Sequence, residues 1–243
     1  MAKEVAKPAE PPKPVHIGGE SIVDRILPHI KKIIVFIIVM SVVLSVVFAV
    51  RWWQHRGEEQ QTEKLSAVLG VAERPLAAPD EKPDPKNPKY ASIKDRASAV
   101  LDELAKQDTD RAGHAYKAGL LIDADKLDDA IAEYRAGQTA EGVEGVLCRE
   151  GLGLALEQKA QAEKDPAARQ KGLEEALAAF TSMQPDESGP RRAYALYHQG
   201  RLLQKLGKRA EAKTAFEKAK DAGPPGLDIL ELIEKRLASL GAA

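Results

Sequence analysis

Residues 33–50 read Ile33-Ile34-Val35-Phe36-Ile37-Ile38-Val39-Met40-Ser41-Val42-Val43-Leu44-Ser45-Val46-Val47-Phe48-Ala49-Val50, with no charge and no proline. Eighteen residues at about 1.5 Å each make roughly 27 Å of helix, close to the hydrocarbon thickness of a bilayer. Lys31 and Lys32 precede the run; Arg51, Trp52 and Trp53 follow it. Indole rings and snorkelling cations favour the headgroup layer, so these flanks suit a spanning helix. A buried core helix fits poorly, because core helices seldom stay uncharged on every face for this length. A cleaved signal peptide is the stronger rival, with Val47-Phe48-Ala49 as a conceivable cleavage site. Against it, the apolar run exceeds the usual ~7–15 residue core of such peptides, and the segment before it is unusually long.

Flanking cations set the expected orientation. Lys3, Lys7, Lys13, Arg25, Lys31 and Lys32 lie before the run, whereas Arg51, Arg56 and Lys64 follow it. The excess places the N-terminus in the cytoplasm and the larger C-terminal part across the membrane.

Residues 1–19 are rich in Lys, Glu and Pro and read as a disordered tail. Ser21, with Asp24 three residues on, would cap a short helix carrying Ile22, Val23, Ile26, Leu27 and Ile30 on one face. That helix would lie at the membrane surface or continue loosely into the span. Beyond the span, Gly57–Glu73 predicts a helix with Leu65, Val68, Leu69 and Ala72 as its apolar stripe. Pro75, Pro79, Pro83, Pro85 and Pro88 then predict an extended, semi-rigid connector. The expected divisions are a tail at 1–32, an anchor at 33–53, a membrane-proximal helix and connector at 54–90, and a helical domain at 91–243.

The chain has 243 residues and a formal net charge of −1. Such balance argues against a nucleic-acid binder, which needs a basic stripe. The single cysteine, Cys148, excludes an intrachain disulfide and reads as a small core residue. The five histidines show no metal-ligand spacing, and there is no nucleophile elbow or phosphate loop. Asp123, Asp125, Asp128 and Asp129 lack the glycine and terminal Glu of a calcium loop and read as a solvated turn. Neither catalysis nor a cofactor is expected.

From Ala91 onward the composition is that of helices: Ala, Leu, Glu, Lys and Gln, with few β-branched residues. A small-to-aromatic pair four residues apart recurs as Ala130/Tyr134, Ala176/Phe180 and Ala212/Phe216. Gly137, Met183 and Ala219 each follow their aromatic residue by three positions. The last unit is the clearest: Gly200, Gly207, Ala212, Phe216, Ala219 and Pro224 occupy the small, aromatic and proline positions of a 34-residue helix–turn–helix repeat. This resembles the tetratricopeptide repeat. The same pattern places Ala118, Leu121, Asp125, Ala130, Tyr134 and Gly137 in one upstream unit. It places Gly151, Leu154, Ala176 and Phe180 in another, with an insertion around residues 160–170. His114, Leu147 and Leu196 stand where the repeat usually has tryptophan. Ile229, Leu230, Leu232, Ile233, Leu237 and Leu240 predict the buried side of a final helix that would cap the solenoid.

The expected fold is therefore all-α: one transmembrane helix, then a tetratricopeptide-repeat α-solenoid with a C-terminal capping helix. This layout, carried by Ile33–Trp53, Ala130/Tyr134, Gly200–Pro224 and Ile229–Leu240, resembles the YfgM-type ancillary subunit of the bacterial Sec translocon. The proline-rich connector departs from that family. The resemblance implies a periplasmic domain anchored in the bacterial inner membrane, association with the SecYEG channel, and partnership with a membrane-anchored periplasmic chaperone.

A solenoid binds through its concave surface. In the clearest repeat the inner-facing positions are Tyr194, Tyr197, Arg201 and Gln204, one helical face by spacing. Aromatic residues and arginine are favoured at protein interfaces, which makes these four the candidate partner-binding residues for peptide or protein clients. The competing reading packs the tyrosines against the neighbouring repeat. The set lacks the Lys/Asn combination with which some tetratricopeptide domains clamp a C-terminal carboxylate. A structural scaffold for another envelope machine is the rival function.

Overall fold

The computed structural model describes residues 29–81, 88–109 and 112–241. Residues 1–28, which hold the expected disordered stretch and all but the end of the helix expected after Ser21, lie outside these residues; the last of the expected tail, Ile30 to Lys32, is already part of the first helix. Nine α-helices and no strand occur among the described residues: α1 Ile30–Ala72, α2 Ile93–Gln107, α3 His114–Asp123, α4 Leu127–Gly137, α5 Gly142–Ala162, α6 Pro166–Met183, α7 Arg192–Lys205, α8 Arg209–Ala222 and α9 Ile229–Gly241. Contacts divide the chain into two units at Glu58/Glu59.

The first unit is the apolar part of α1. It is the one described helix long and apolar enough to cross a membrane, and its apolar window has no buried residue. Ser45 Oγ donates to the Ser41 carbonyl at 2.8 Å, which satisfies a hydroxyl that hydrocarbon could not. The Arg56 guanidinium stacks 5.0 Å from the Trp52 ring centroid, a cation–π contact at the end of the apolar run. The helix does not break at residue 53; it runs unbroken to Ala72, because nothing between Gln54 and Glu73 is a proline and the two separated glycines, Gly57 and Gly70, are too weak as breakers.

The second unit begins inside the same helix. Val68 is fully buried against Val100 and Leu104 of α2. The connector corrects the expectation of an extended spacer at its two ends. Tyr90 N donates to Pro75 O at 3.0 Å and Ala77 N donates to Tyr90 O at 2.9 Å, while Tyr90 Oη donates to Val71 O at 3.2 Å. Prolines remove donors but keep carbonyls, so Pro75 still accepts the bond that closes this loop. Ser92 caps α2 by accepting from Asp95 N at 3.1 Å.

The remaining helices pack as successive neighbours: α3 with α4, α5 with α6, α7 with α8, and α9 on α8. Two turns are built alike. At the end of α3, Lys126 N donates to Leu121 O at 2.8 Å and Asp125 is left-handed (φ 59°). At the end of α7, Lys208 N donates to Leu203 O at 2.9 Å and Gly207 is left-handed (φ 77°). Aspartate and glycine both tolerate this conformation. Between α5 and α6 there is no looped insertion. Both helices lengthen instead, to 21 and 18 residues, and only Glu163–Asp165 connects them. Asp165 caps α6 from Ala168 N at 2.9 Å, and Pro166 fits the first helical turn, where its missing N–H costs nothing.

Aromatic rings resting on glycines set the helix spacing. A Cβ at Gly153 would lie 2.7 Å from Phe180, and one at Gly200 would lie 2.8 Å from Phe216; Gly151 is closed in the same way by Tyr134. The glycine opposite Phe180 is thus Gly153, two residues beyond the expected Gly151, whose partner is Tyr134 of the preceding hairpin. The slip also turns Leu154 outward, to 43 % exposure. Phe180, Phe216 and Met183 are fully buried. In α9, Ile229 and Ile233 are buried and Leu230, Leu237 and Leu240 pack at the edge of the same core, but Leu232 is exposed. At about 100° per residue Leu232 lies about 80° from the direction midway between Ile229 and Ile233, on the flank away from Leu230 and Leu237.

Phe216→Ala should cost about 3–5 kcal/mol, the range for truncating a buried aromatic. Denaturant unfolding of the full-length chain measures it; a loss under ~1 kcal/mol would show that Phe216 is not core.

Candidate functional site

Helices α5 and α7 are joined by ionisable side chains. Glu150 and Glu157 lie two turns apart on α5, and Arg191, His198, Arg201 and Lys205 answer them from α7 and its N-cap. Arg201 donates to both Glu157 oxygens at 2.7 and 2.5 Å, and Lys205 adds a third bond at 2.6 Å. Glu157 is only 3 % exposed. Burial pushes its carboxyl upward, but the Lys205 bond and the Arg201 charge outweigh that and hold it below the usual carboxylate range. Removing one partner of such a pair typically costs about 3–5 kcal/mol, because a charge is left buried alone.

His198 sits inside this array. Its ring stacks on Phe180 at 4.5 Å, and its Nδ1 lies 3.2 Å from Arg201 Nη2. An arginine nitrogen can only donate, so Nδ1 accepts and the imidazole is neutral. Glu150 lies 3.9 Å from Nε2 but is already paired with Arg191. Burial, then the charge of Arg201, pushes the His198 pKa down to about 4, with Glu157 opposing.

The four expected partner-binding residues share one face of α7, but they are not equally open. Tyr197 is buried at 9 % exposure, its ring 5.9 Å from Phe216. Arg201 is held by Glu157. Tyr194 is half-buried, donates to Asp228 Oδ1 at 2.6 Å, and carries the Arg191 guanidinium 4.3 Å above its ring. Gln204 is half-buried. At Tyr197, packing against the neighbouring helix is what the structure shows: its ring lies against Phe216, and Phe216 itself fills the space over Gly200.

The open surface lies one hairpin earlier. A groove of about 470 Å³ runs between α3 and α5. Its rims are Tyr116 and Leu154, 40 % and 43 % exposed, its floor includes Ile122, Tyr134 and Ala155, and Asp123 and Gln158 stand at one end. Val143 and Leu147 extend the apolar side of α5 beyond it, with 71 % and 39 % exposure. Gly119 lines the groove in the middle of α3, and a Cβ there would meet nothing within 4 Å. A mid-helix glycine costs about 1 kcal/mol relative to alanine. Here no close contact requires it. The sequence held that signal: Gly119 is a glycine outside the repeat pattern, beside the patterned Ala118.

No group of three or more His, Cys, Asp or Glu side chains among the described residues is placed to hold a metal ion. Cys148 is buried, and burial followed by the nearby Glu144 raises its thiol to about 11, so it is not a nucleophile at neutral pH. The chain matches no family model, no curated protein and no solved structure.

A histidine held neutral in the fold stabilises it fully above the unfolded pKa, and that contribution is lost as pH falls from about 6.5 toward 4. At about 1.4 kcal/mol per unit, the loss is at most about 3.5 kcal/mol. Denaturant unfolding at a series of pH values should show this slope in the wild type. His198→Gln should flatten it between pH ~7 and ~5, where few carboxylates titrate. An unchanged slope in the variant would assign the pH dependence to other groups.

Proposed function

We propose that the protein is a membrane-anchored, non-enzymatic protein-binding module, and that its helical domain is a solenoid of degenerate tetratricopeptide repeats ended by α9. Support for the repeat reading comes from an echo 82 residues apart. Ala118, Leu121, Asp125, Ala130, Tyr134 and Gly137 correspond to Gly200, Leu203, Gly207, Ala212, Phe216 and Ala219, and the two hairpin turns share their hydrogen bonds. The observation that carries the binding reading is the apolar groove between α3 and α5. It has the volume of a ligand pocket, about 470 Å³, with exposed apolar side chains at its rims, which is the form that binding sites take.

The resemblance to YfgM-type subunits supplies the setting: the inner membrane, with the domain in the periplasm beside the SecYEG exit and a membrane-anchored chaperone as co-partner. Tyr194 and Gln204 would extend the contact surface along α7, with Tyr197 and Arg201 holding that helix in place.

A photo-crosslinking amino acid at Leu154, installed in the full-length protein in its native membrane, tests this. Adducts with translocon subunits or with the periplasmic chaperone are expected. Adducts with subunits of a secretion or motility machine would replace this reading with that of a scaffold. Absence of any adduct at Leu154, with adducts from a probe at Gln204, would move the site to α7.

A further inference from the structure

The geometry points to the kind of segment the α3/α5 groove accepts: an apolar peptide run with a lysine or arginine beside it. This deepens the protein-binding reading above and rests on it. Two residues on the groove wall are locally unfavourable, and neither is explained by the fold. Gly119 weakens α3, yet no neighbouring atom would meet a side chain there. Its effect is to leave the groove open. Asp123 is the last residue of α3, where the partial negative charge of the helix end disfavours an anion. The neighbouring acids are answered, Asp125 by Lys94 at 3.0 Å and Asp128 by Lys159 at 2.6 Å. Asp123 has no ion pair among the described residues. Departures from local preference that the fold does not need concentrate at functional sites.

Together these define the occupant. The walls are apolar from Tyr116 to Ile122, about 9 Å along the helix axis, enough for between one and two turns of helix or about three extended residues. The volume lies within the range of about 300–1,000 Å³ common to ligand pockets. One end is negative through both Asp123 and the α3 carbonyl terminus, so a cation at the matching end of the segment completes the pairing and fixes its direction.

The test uses the full-length chain in lipid nanodiscs, with empty nanodiscs subtracted. Two fluorescent peptides are titrated, Lys-Leu-Phe-Ala-Leu-Leu and its twin with Glu for Lys. The Lys peptide should bind about three- to tenfold more tightly at low salt, and the ratio should shrink as salt is raised. Asp123→Lys should reverse the preference, and Gly119→Leu should weaken both peptides at least about tenfold by filling the groove. Both variants improve local helix preference, so their melting temperatures should be unchanged or higher, which separates lost binding from lost folding. Equal affinity for the two peptides, or Gly119→Leu binding like the wild type, would overturn the inference. If either result came with translocon adducts at Leu154, the binding module would stand and only the ligand class would fall.

Discussion

Each aromatic ring of the repeating pair pattern needs a neighbouring helix with no side chain beneath it. Phe180 has Gly153, Phe216 has Gly200, and Tyr134 has Gly151. A ring is flat and stiff, and it fills the gap between two helices only if their backbones come close. Glycine permits that approach at a cost of about 1 kcal/mol in helix propensity, against several for the buried ring. α5 carries two of these glycines, two residues apart. It therefore receives Tyr134 from the hairpin before it and Phe180 from its own, and it sits at the centre of the domain.

That position explains why α5 has two different flanks. Toward α7 its carboxylates Glu150 and Glu157 are met by arginine, lysine and a neutral histidine. Such an array contributes little net stability over an apolar substitute, but removing one partner leaves Glu157 charged and buried alone. Toward α3 the polar link lies at one end, where Glu144 accepts from Ala115 N at 2.9 Å. Small residues, Gly119 and Ala155 among them, leave a trough between Tyr116 and Leu154. The same helix is thus tied to α7 by charges two turns apart and to α3 near the start of α3, with the trough open between Tyr116 and Leu154.

Much of this was legible in the residues. The uncharged run at 33–50, the helical character after Ala91, the burial of Ala130, Ala176, Ala212, Phe180 and Phe216, and the packing of Ile229 and Ile233 all follow from periodicity and composition. What failed was register where glycines cluster. Gly151 and Gly153 are both candidates for one small position, and sequence spacing cannot say which ring each will meet. Leu154 was misplaced by the same slip. Prolines count as breakers and so predict a spacer, whereas Pro75 and Tyr90 close the connector through a carbonyl that periodicity ignores. Spacing puts Tyr194, Tyr197, Arg201 and Gln204 on one face of α7 but carries no sign of what holds them, because the partner of Arg201 lies 44 residues away on α5. The groove itself left one trace, a helical glycine with no role in the repeat.

The central claim is that ring-on-glycine contacts set the helix spacing. A double-mutant cycle at Gly153 and Phe180 in the full-length chain tests it most directly. Gly153→Ala should be destabilising, although alanine is the better helix former, because its methyl would meet the Phe180 ring. Phe180→Leu should relieve that clash. The account predicts a coupling of at least about 1 kcal/mol, with the double variant more stable than the sum of the single losses. Additive losses, or a stabilising Gly153→Ala, would contradict it.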